Sequence, residues 1–224
     1  MMSVIKKEVQ AHGFLWERQL LTRVYGATAE EVAAIPYTSP YDLPAALNRV
    51  NGANLSIKTS GSNTICMGDA LRIFDEVSSK KPVHLIVVRY AQETATTKRV
   101  KVITEVDITG STDVLFGSAT RADVEALDRI VKAVPQQRKP TPEEHAAIYA
   151  LHKSLKGRLG SIYLNVKCNS QQSRLQCSFN KWDAFLAAHP ERIVASSLSS
   201  AASAASLHGG SIDETLESAP RKFG

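Results

Sequence analysis

The sequence predicts a mixed β-sheet flanked by helices, in the α/β or α+β class, and three observations support this. Residues 83–90 form a nearly continuous apolar run, VHLIVVRY, which is typical of a central strand. Residues 99–108 alternate apolar with polar or charged side chains, as a strand with one wet face does. Residues 121–134 repeat apolar side chains at helical spacing, which predicts an amphipathic helix.

The elements before the central strand follow from the same periodicities. Apolar side chains at helical spacing predict a helix over residues 3–25. A capping-box pattern opens a short helix at 29–34. Three prolines make residues 35–44 an extended connection, and the first strand follows at 53–58.

The C-terminal half alternates helical and strand patterns before its composition changes. The predicted elements are helices at 67–77, 121–134, 140–156 and 181–188, and strands at 161–168 and 173–179. From residue 196 the chain is rich in Ser, Ala and Gly and has no periodic apolar face. We therefore expect a single domain over residues 1–195 and a disordered, low-complexity tail over 196–224.

Composition narrows the class of protein. The net charge of +5 and the isoelectric point near 9.1 are compatible with a polyanionic partner. No apolar run reaches the ~18 residues of a membrane-spanning helix, and the N-terminus lacks the apolar core of a signal peptide. Three cysteines without metal-ligand spacing favour a reducing compartment. We expect a cytoplasmic protein with no membrane partner.

A candidate cleavage site lies in the N-terminal quarter. Asp42 precedes a short apolar strand, and Lys58 ends that strand. A carboxylate and an ammonium group at neighbouring strand ends are what metal-assisted phosphodiester cleavage needs. Glu17 lies beside Leu20 and Leu21 on the first helix, where a carboxylate costs free energy unless a partner or a metal balances it.

Ordinary structural roles remain open for the same three residues. Glu17 suits an exposed helix position, where it would pair with a neighbouring arginine. Asp42 suits a turn or a helix cap. Lys58 suits a strand end from which its side chain reaches water.

Two polar segments are candidate DNA contacts. Residues 59–63, TSGSN, could bring backbone N–H groups and hydroxyls close to phosphate, with Ser60, Ser62 and Asn63 as contacts. A polar hairpin supplies Lys167, Asn169, Gln172, Arg174 and Gln176. Asn, Gln and Arg read base edges in the major groove, which admits a two-stranded ribbon. An ordinary exposed β-turn is the alternative.

A rival acidic pair lies on the wet strand at 99–108. Glu105 and Asp107 are two residues apart and share one strand face, so they could share a metal or act as an acid/base pair. No lysine follows them at a suitable spacing.

The residues Glu17, Asp42 and Lys58 together resemble the PD-(D/E)xK nuclease superfamily, which includes many type II restriction endonucleases. The resemblance implies a restriction-endonuclease-like fold in which Asp42 and Glu17 hold Mg²⁺ and Lys58 positions the attacking water. Tyr41 stands where the motif has proline, and Ser56 replaces the acidic residue two before the lysine. The second departure removes one metal ligand.

Three functions follow in order of preference. The first is an Mg²⁺-dependent, type II restriction-like endonuclease that cleaves double-stranded DNA. We expect a homodimer, because palindromic sites are cut on both strands. The second is a non-catalytic nucleic-acid-binding protein on a degenerate nuclease scaffold, which Ser56 favours. The third is a small-molecule enzyme that uses Glu105 and Asp107.

Overall fold

A computed structural model describes residues 14–198 and 204–217. Helices flank mixed β-sheets, which confirms the predicted fold class. By its internal contacts the chain divides into two compact units. The first unit comprises Met1–Ser62, Lys81–Ile108 and His189–Gly224, and the second comprises Asn63–Lys80 and Thr109–Ala188.

Helices and strands alternate through both units. In chain order the helices are α1 (residues 14–19, continued by the π-helical turn Leu20–Val24), α2 (Ala29–Ala34), α3 (Ala70–Ser78), α4 (Thr112–Phe116), α5 (Arg121–Lys132), α6 (Pro142–Lys156) and α7 (Trp182–Ala188). The strands are β1 (Asn54–Ser60), β2 (Ile65–Asp69), β3 (Val83–Gln92), β4 (Thr97–Asp107), β5 (Tyr163–Asn169), β6 (Gln172–Phe179), β7 (Ile193–Leu198), β8 (Ala204–Leu207), β9 (Gly210–Asp213) and β10 (Thr215–Glu217). Short 3₁₀ helices span Ala45–Leu47 and Pro190–Arg192.

A five-stranded mixed sheet forms the first unit. Its strands run in the order β1-β3-β4-β10, and β7 also pairs with β4. β1 and β3 are parallel, whereas β4 is antiparallel to β3, β7 and β10. The core joins this sheet to α1 and to the β8–β9 hairpin, with Trp16, Leu20 and Tyr25 fully buried. This packing fixes α1 relative to the sheet.

A three-stranded antiparallel sheet forms the centre of the second unit. Its order is β2-β6-β5, and α3, α5 and α6 pack against it. Leu164, Leu175 and Phe179 are buried in this sheet. Thr120 and Thr141 each accept a backbone hydrogen bond in a capping box, which starts α5 and α6 where the sequence predicts.

β2 corrects one predicted element, because residues 65–69 form a strand before α3 begins. Gly68 has a φ of 108°, and the register of β2 against β6 shifts there. The Asp69 side chain then accepts a hydrogen bond from the N–H of Arg72 and caps the helix, which starts at Ala70. The apolar residue Met67 therefore belongs to the strand, although its spacing from Leu71 suits a helix.

The predicted tail is the larger correction. Residues 204–217 form strands, and β7 extends to Leu198, beyond the predicted domain end. Ala205, Leu207 and Ile212 are buried at alternating positions, which the surrounding Ser and Ala residues mask in the sequence. His208 and Gly209 both have positive φ and close a tight hairpin turn between β8 and β9. Residues 199–203 and 218–224 of the predicted tail lie outside the described residues, as does the 3–13 part of the first predicted helix.

Within the described residues, no helix combines the length and apolarity needed to cross a membrane. Cys66, Cys168 and Cys177 are free thiols. Burial raises the pKa of the Cys177 thiol, so this side chain behaves as a small apolar group.

Candidate active site

Helix α1 positions Glu17 on the edge of its buried stripe. Leu20, Leu21 and Val24 follow Glu17 at spacings of three, four and seven residues, and all three are buried. Glu17 itself is half-buried. The stripe that anchors α1 in the core therefore carries a carboxylate, as the sequence predicts.

The C-terminal hairpin holds α1 in place. The Trp16 Nε1 atom donates a hydrogen bond of 2.9 Å to the backbone oxygen of Asp213, and the Arg23 guanidinium pairs with the Asp213 carboxylate at 2.8 Å. A Cβ atom at Gly210 would lie 2.3 Å from the backbone oxygen of Arg23, so only glycine permits this approach. Residues assigned to a tail from the sequence thus orient the helix that carries Glu17.

Asp42 lies beside β1 because the chain pairs there for a single step. Leu43 and Leu55 form an antiparallel bridge, and the Asp42 N–H donates to the Leu55 oxygen at 2.9 Å. The Asp42 Oδ2 atom accepts a hydrogen bond of 2.6 Å from the Ile57 N–H. A backbone donor thereby fixes this carboxylate against β1.

Lys58 lies on the same side of β1 as Ser56, and its ammonium group meets the Asp42 carboxylate. The Lys58 Nζ atom is 3.7 Å from Asp42 Oδ2. It also donates to Ser56 Oγ at 2.9 Å and to the Ile57 backbone oxygen at 3.1 Å. The Lys58 and Asp42 side chains are 23% and 30% exposed, so solvent screens their interaction only in part.

The electrostatics of Glu17 connect it to the other two residues. Burial raises the pKa of the Glu17 carboxyl, the negative charge of Asp42 adds to the rise, and the positive charge of Lys58 opposes it; together they bring the pKa to about 7. No hydrogen bond to Glu17 is found within residues 14–198 and 204–217. The structure therefore brings Glu17, Asp42 and Lys58 together, and leaves Glu17 without a donor that would stabilise its charge.

The donor set fits Mg²⁺ through two carboxylates. Mg²⁺ keeps several waters and is usually held by one or two carboxylates together with substrate phosphate oxygens. Glu17 and Asp42 supply such a pair, because the Asp42 charge acts on the Glu17 carboxyl and contributes, after burial, to the rise in its pKa. In the described part of the chain, no group of three or more His, Cys, Asp or Glu side chains is arranged to hold a metal. Ser56 lies beside this pair and offers the Lys58 ammonium group a hydroxyl oxygen, at 2.9 Å.

In the loop after β1, the polar residues that we expect to contact DNA make local hydrogen bonds within the protein. The Ser60 hydroxyl bonds to the oxygen and the N–H of Ser62, which tightens the turn. The Asn63 side chain accepts a hydrogen bond from the Asp183 N–H at 2.9 Å and caps α7. Backbone capping explains the asparagine, and DNA contacts by Ser60, Ser62 and Asn63 stay a prediction.

The polar hairpin forms as predicted, as strands β5 and β6. Lys167 and Arg174 are exposed and lie directly opposite each other. Asn169 accepts hydrogen bonds from the N–H groups of Gln171 and Gln172, so its side chain holds the turn. Gln172 and Gln176 are partly exposed.

The two residues of the rival acidic pair, Glu105 and Asp107, lie in different environments. Glu105 is fully buried and accepts hydrogen bonds from Tyr25, Asn51, His84 and His208. Burial raises the pKa of Glu105, but these four donors outweigh it and lower the pKa to about 2. Asp107 is far more exposed, with its Oδ1 atom 4.0 Å from the His84 ring. A fully bonded, ionised carboxylate has no free capacity to act as an acid or base, which argues against a small-molecule enzyme at this pair.

Sequence reasoning missed the part played by Ile57. Its N–H holds Asp42 and its backbone oxygen accepts from Lys58, so a main-chain unit links the two charged residues. Nothing in the side chain of Ile57 signals this. The signal lay in its position between Ser56 and Lys58, because neighbouring residues on a strand face opposite sides while their backbone groups stay in line.

No protein-family model, no curated protein and no solved structure matches this chain.

Proposed function

We propose that this protein is an Mg²⁺-dependent endonuclease that hydrolyses phosphodiester bonds in double-stranded DNA, in the manner of type II restriction enzymes. The observation that carries the proposal is the meeting of Glu17, Asp42 and Lys58, with the pKa of Glu17 raised to about 7. Perturbed carboxylates beside a cation are typical of catalytic sites. The same three residues carry the resemblance to the PD-(D/E)xK superfamily.

Each side chain has a role that its geometry supports. Glu17 and Asp42 would hold the metal, and the hydrogen bond from the Ile57 N–H keeps Asp42 oriented. Mg²⁺ held there would supply Lewis acidity toward the scissile phosphate. Lys58 would donate to the attacking water or to a phosphate oxygen and offset the negative charge that develops in the transition state.

The charge of the protein supports DNA as the substrate. The protein is basic, with a net charge of +5, which favours a polyanion. Restriction-type cleavage of both strands at a palindrome is served by two copies related by a two-fold axis, so a homodimer belongs to the proposal.

Incubation with phage DNA tests the proposal directly. The wild-type protein should give discrete bands with MgCl₂ and none with EDTA. Asp42→Asn should abolish cleavage, because it removes a metal ligand, and Lys58→Ala should slow it by at least ~100-fold. Asp113→Asn and Lys101→Ala change exposed residues of the same types and serve as matched controls.

Full activity in Lys58→Ala or in Asp42→Asn would overturn the assigned roles. A second function, DNA binding without cleavage, is favoured by Ser56. Its hydroxyl accepts a hydrogen bond from the Lys58 ammonium group, where the superfamily motif has a carboxylate. Tight binding of DNA with no cleavage in either Mg²⁺ or Mn²⁺ would establish that function in place of the first.

A further inference from the structure

The second unit presents a polar sheet face that the cleavage site does not use. Side chains that lie opposite each other across β5 and β6 share a face, and the polar pairs are Tyr163–Ser178, Asn165–Gln176, Lys167–Arg174 and Asn169–Gln172. The opposite face holds the buried residues Leu164, Leu175 and Cys177. One face of the sheet is therefore packed, and the other carries a row of polar and basic groups.

Lys167 and Arg174 form an unfavourable pair at the middle of this face. They are directly opposite in register, and like charges at such positions destabilise a sheet. Both are exposed, and neither has an ion pair within the described residues. A partner that carries negative charge would convert this local repulsion into two favourable contacts.

The hairpin lies in a part of the sequence without acidic residues, although Asp69 on the neighbouring strand β2 is in register with Gln176. Between Glu144 and Asp183 the chain contains no acidic residue, whereas it contains six basic ones: Lys153, Lys156, Arg158, Lys167, Arg174 and Lys181. Of these six, Arg158 pairs with Asp123. The acid-free interval covers the whole β5–β6 hairpin, so its positive charge stays available to a ligand.

Amide side chains flank the two cations. Gln172 and Gln176 lie on either side of Arg174 along β6, and neither makes a side-chain hydrogen bond within the part of the chain that the structure describes. Tyr163 adds an aromatic ring that is 38% exposed at the end of β5. Cations with adjacent amides suit phosphates together with base edges better than they suit a simple anion.

We propose that the β5–β6 polar face binds double-stranded DNA, with Lys167 and Arg174 contacting phosphates and Gln172 and Gln176 facing base edges. A two-stranded ribbon fits the major groove, where glutamine reads adenine bidentately. The choice of duplex DNA as the ligand rests on the proposed function, while the binding face rests on the geometry of the second unit.

Binding is measured by fluorescence anisotropy of a labelled mixed-sequence duplex in EDTA, with Asp42→Asn as the parent so that cleavage cannot occur. Lys167→Gln and Arg174→Gln should each weaken binding and reduce the slope of log K against log salt by about 0.9. Lys153→Gln removes an exposed lysine of the same acid-free interval from α6 and is the matched control.

Thermal unfolding of the same variants separates lost contacts from lost folding. Each single variant removes the like-charge pair, so its midpoint should equal or exceed that of the parent while its affinity falls. Gln176→Ala should relax sequence preference at one base pair by about 5- to 150-fold, measured by selection from a random duplex pool.

Unchanged affinity and salt slope in both Lys167→Gln and Arg174→Gln would overturn the proposal, as would a loss confined to single-stranded DNA or RNA. Failure of the proposed function gives a different result, because wild-type protein would then bind duplex DNA through this face without cutting it in Mg²⁺. Cleavage with no effect of either variant on binding would leave the function standing and remove this face.

Discussion

Two glutamates of the first unit are wholly or partly buried, yet their surroundings shift their pKa values in opposite directions. Glu105 is fully buried and accepts hydrogen bonds from four side chains, and its pKa falls to about 2. Glu17 is only half-buried, faces Asp42 and has no hydrogen-bond donor within the described residues, and its pKa rises to about 7. The supply of donors, and not burial alone, separates a carboxylate whose pKa is lowered from one whose pKa is raised.

The largest expected effect is the loss of stability on replacing Glu105. Glu105→Gln should lower the free energy of unfolding at pH 7 by about 3 kcal/mol, because an amide cannot accept from every donor. The pKa of Glu105 is lower in the folded protein than its ordinary value of 4.5. Its stabilisation is therefore complete above that value and disappears as the pH falls towards 2.

Urea denaturation of wild type and Glu105→Gln between pH 3 and pH 7 would follow this difference. The neighbouring variant Asp107→Asn is the control, since its partly exposed carboxylate should contribute no more than ~1 kcal/mol. Equal stability of wild type and Glu105→Gln at pH 7 would contradict the structural role.

The second prediction has the opposite sign. Glu17→Gln should raise the free energy of unfolding at pH 8 by up to ~3 kcal/mol, a figure that partial exposure reduces. The folded pKa of about 7 lies above the ordinary 4.5, so ionisation of Glu17 opposes folding increasingly between these values and by a constant amount above them. Below pH 4.5 the variant and wild type should be equally stable.

Glu17→Gln should also reduce Mg²⁺-dependent cleavage by at least ~100-fold, because a metal ligand is lost. Glu30→Gln alters an exposed glutamate on α2 and should change neither stability nor cleavage. A destabilised Glu17→Gln protein at pH 8 would show that Glu17 stabilises the fold in the same way as Glu105.

A third, smaller effect concerns one donor of the Glu105 cluster. His208→Ala should lower the free energy of unfolding by about 1–2 kcal/mol, because a hydrogen bond to a charged group is removed. Hydrogen exchange should report faster opening of the β8–β9 hairpin in this variant. Ser206→Ala, at an exposed position of the same hairpin, is the control; equal exchange in the two variants would exclude His208 as a fastening.

The smallest expected effect concerns Mg²⁺ affinity at the site formed by Glu17, Asp42 and Lys58. Ser56→Asp restores a carboxylate beside Lys58 and should raise Mg²⁺ affinity on the order of tenfold, since affinity follows the number of charged ligands. Titration calorimetry without DNA measures this directly. Thr59→Asp faces the other side of β1 and should leave the affinity unchanged. A fall in affinity for Ser56→Asp would mean that the new charge displaces Asp42.

The sequence alone identified Glu17 as a candidate site residue, but it did not predict the buried hydrogen-bonded environment of Glu105. Glu17, Asp42 and Lys58 were identified because each lies near a local signal: an apolar helix stripe, a proline-rich turn and a strand end. The four partners of Glu105 come from distant parts of the chain, and the periodicity of β4 places its odd-numbered positions on a wet face. The environment of Glu105 therefore depends on residues far apart in the chain, which local sequence patterns do not reveal.

The fold shows the same limit. Elements with strong periodicity or caps, such as α2, α5 and α6, begin where the sequence predicts. β8, β9 and β10 are short, and their buried residues are mostly small or widely separated, so their composition resembles that of a disordered segment. They are ordered because β4 and α1 offer them a surface, which the local sequence does not reveal.

The two partners of the outer edge of β4 have a consequence for synthesis of the chain. β7 pairs with one half of this edge and β10 with the other, and Thr97 bonds to Glu217 across 120 residues. At ribosomal rates of 5–20 residues per second, β4 emerges roughly 6–24 seconds before β10. During this interval a long strand has an open edge, which is a template for pairing with other nascent chains. In the folded chain β7 and β10 cover this edge, so a product that ends near residue 200 lacks β10 and should aggregate more readily than the full sequence.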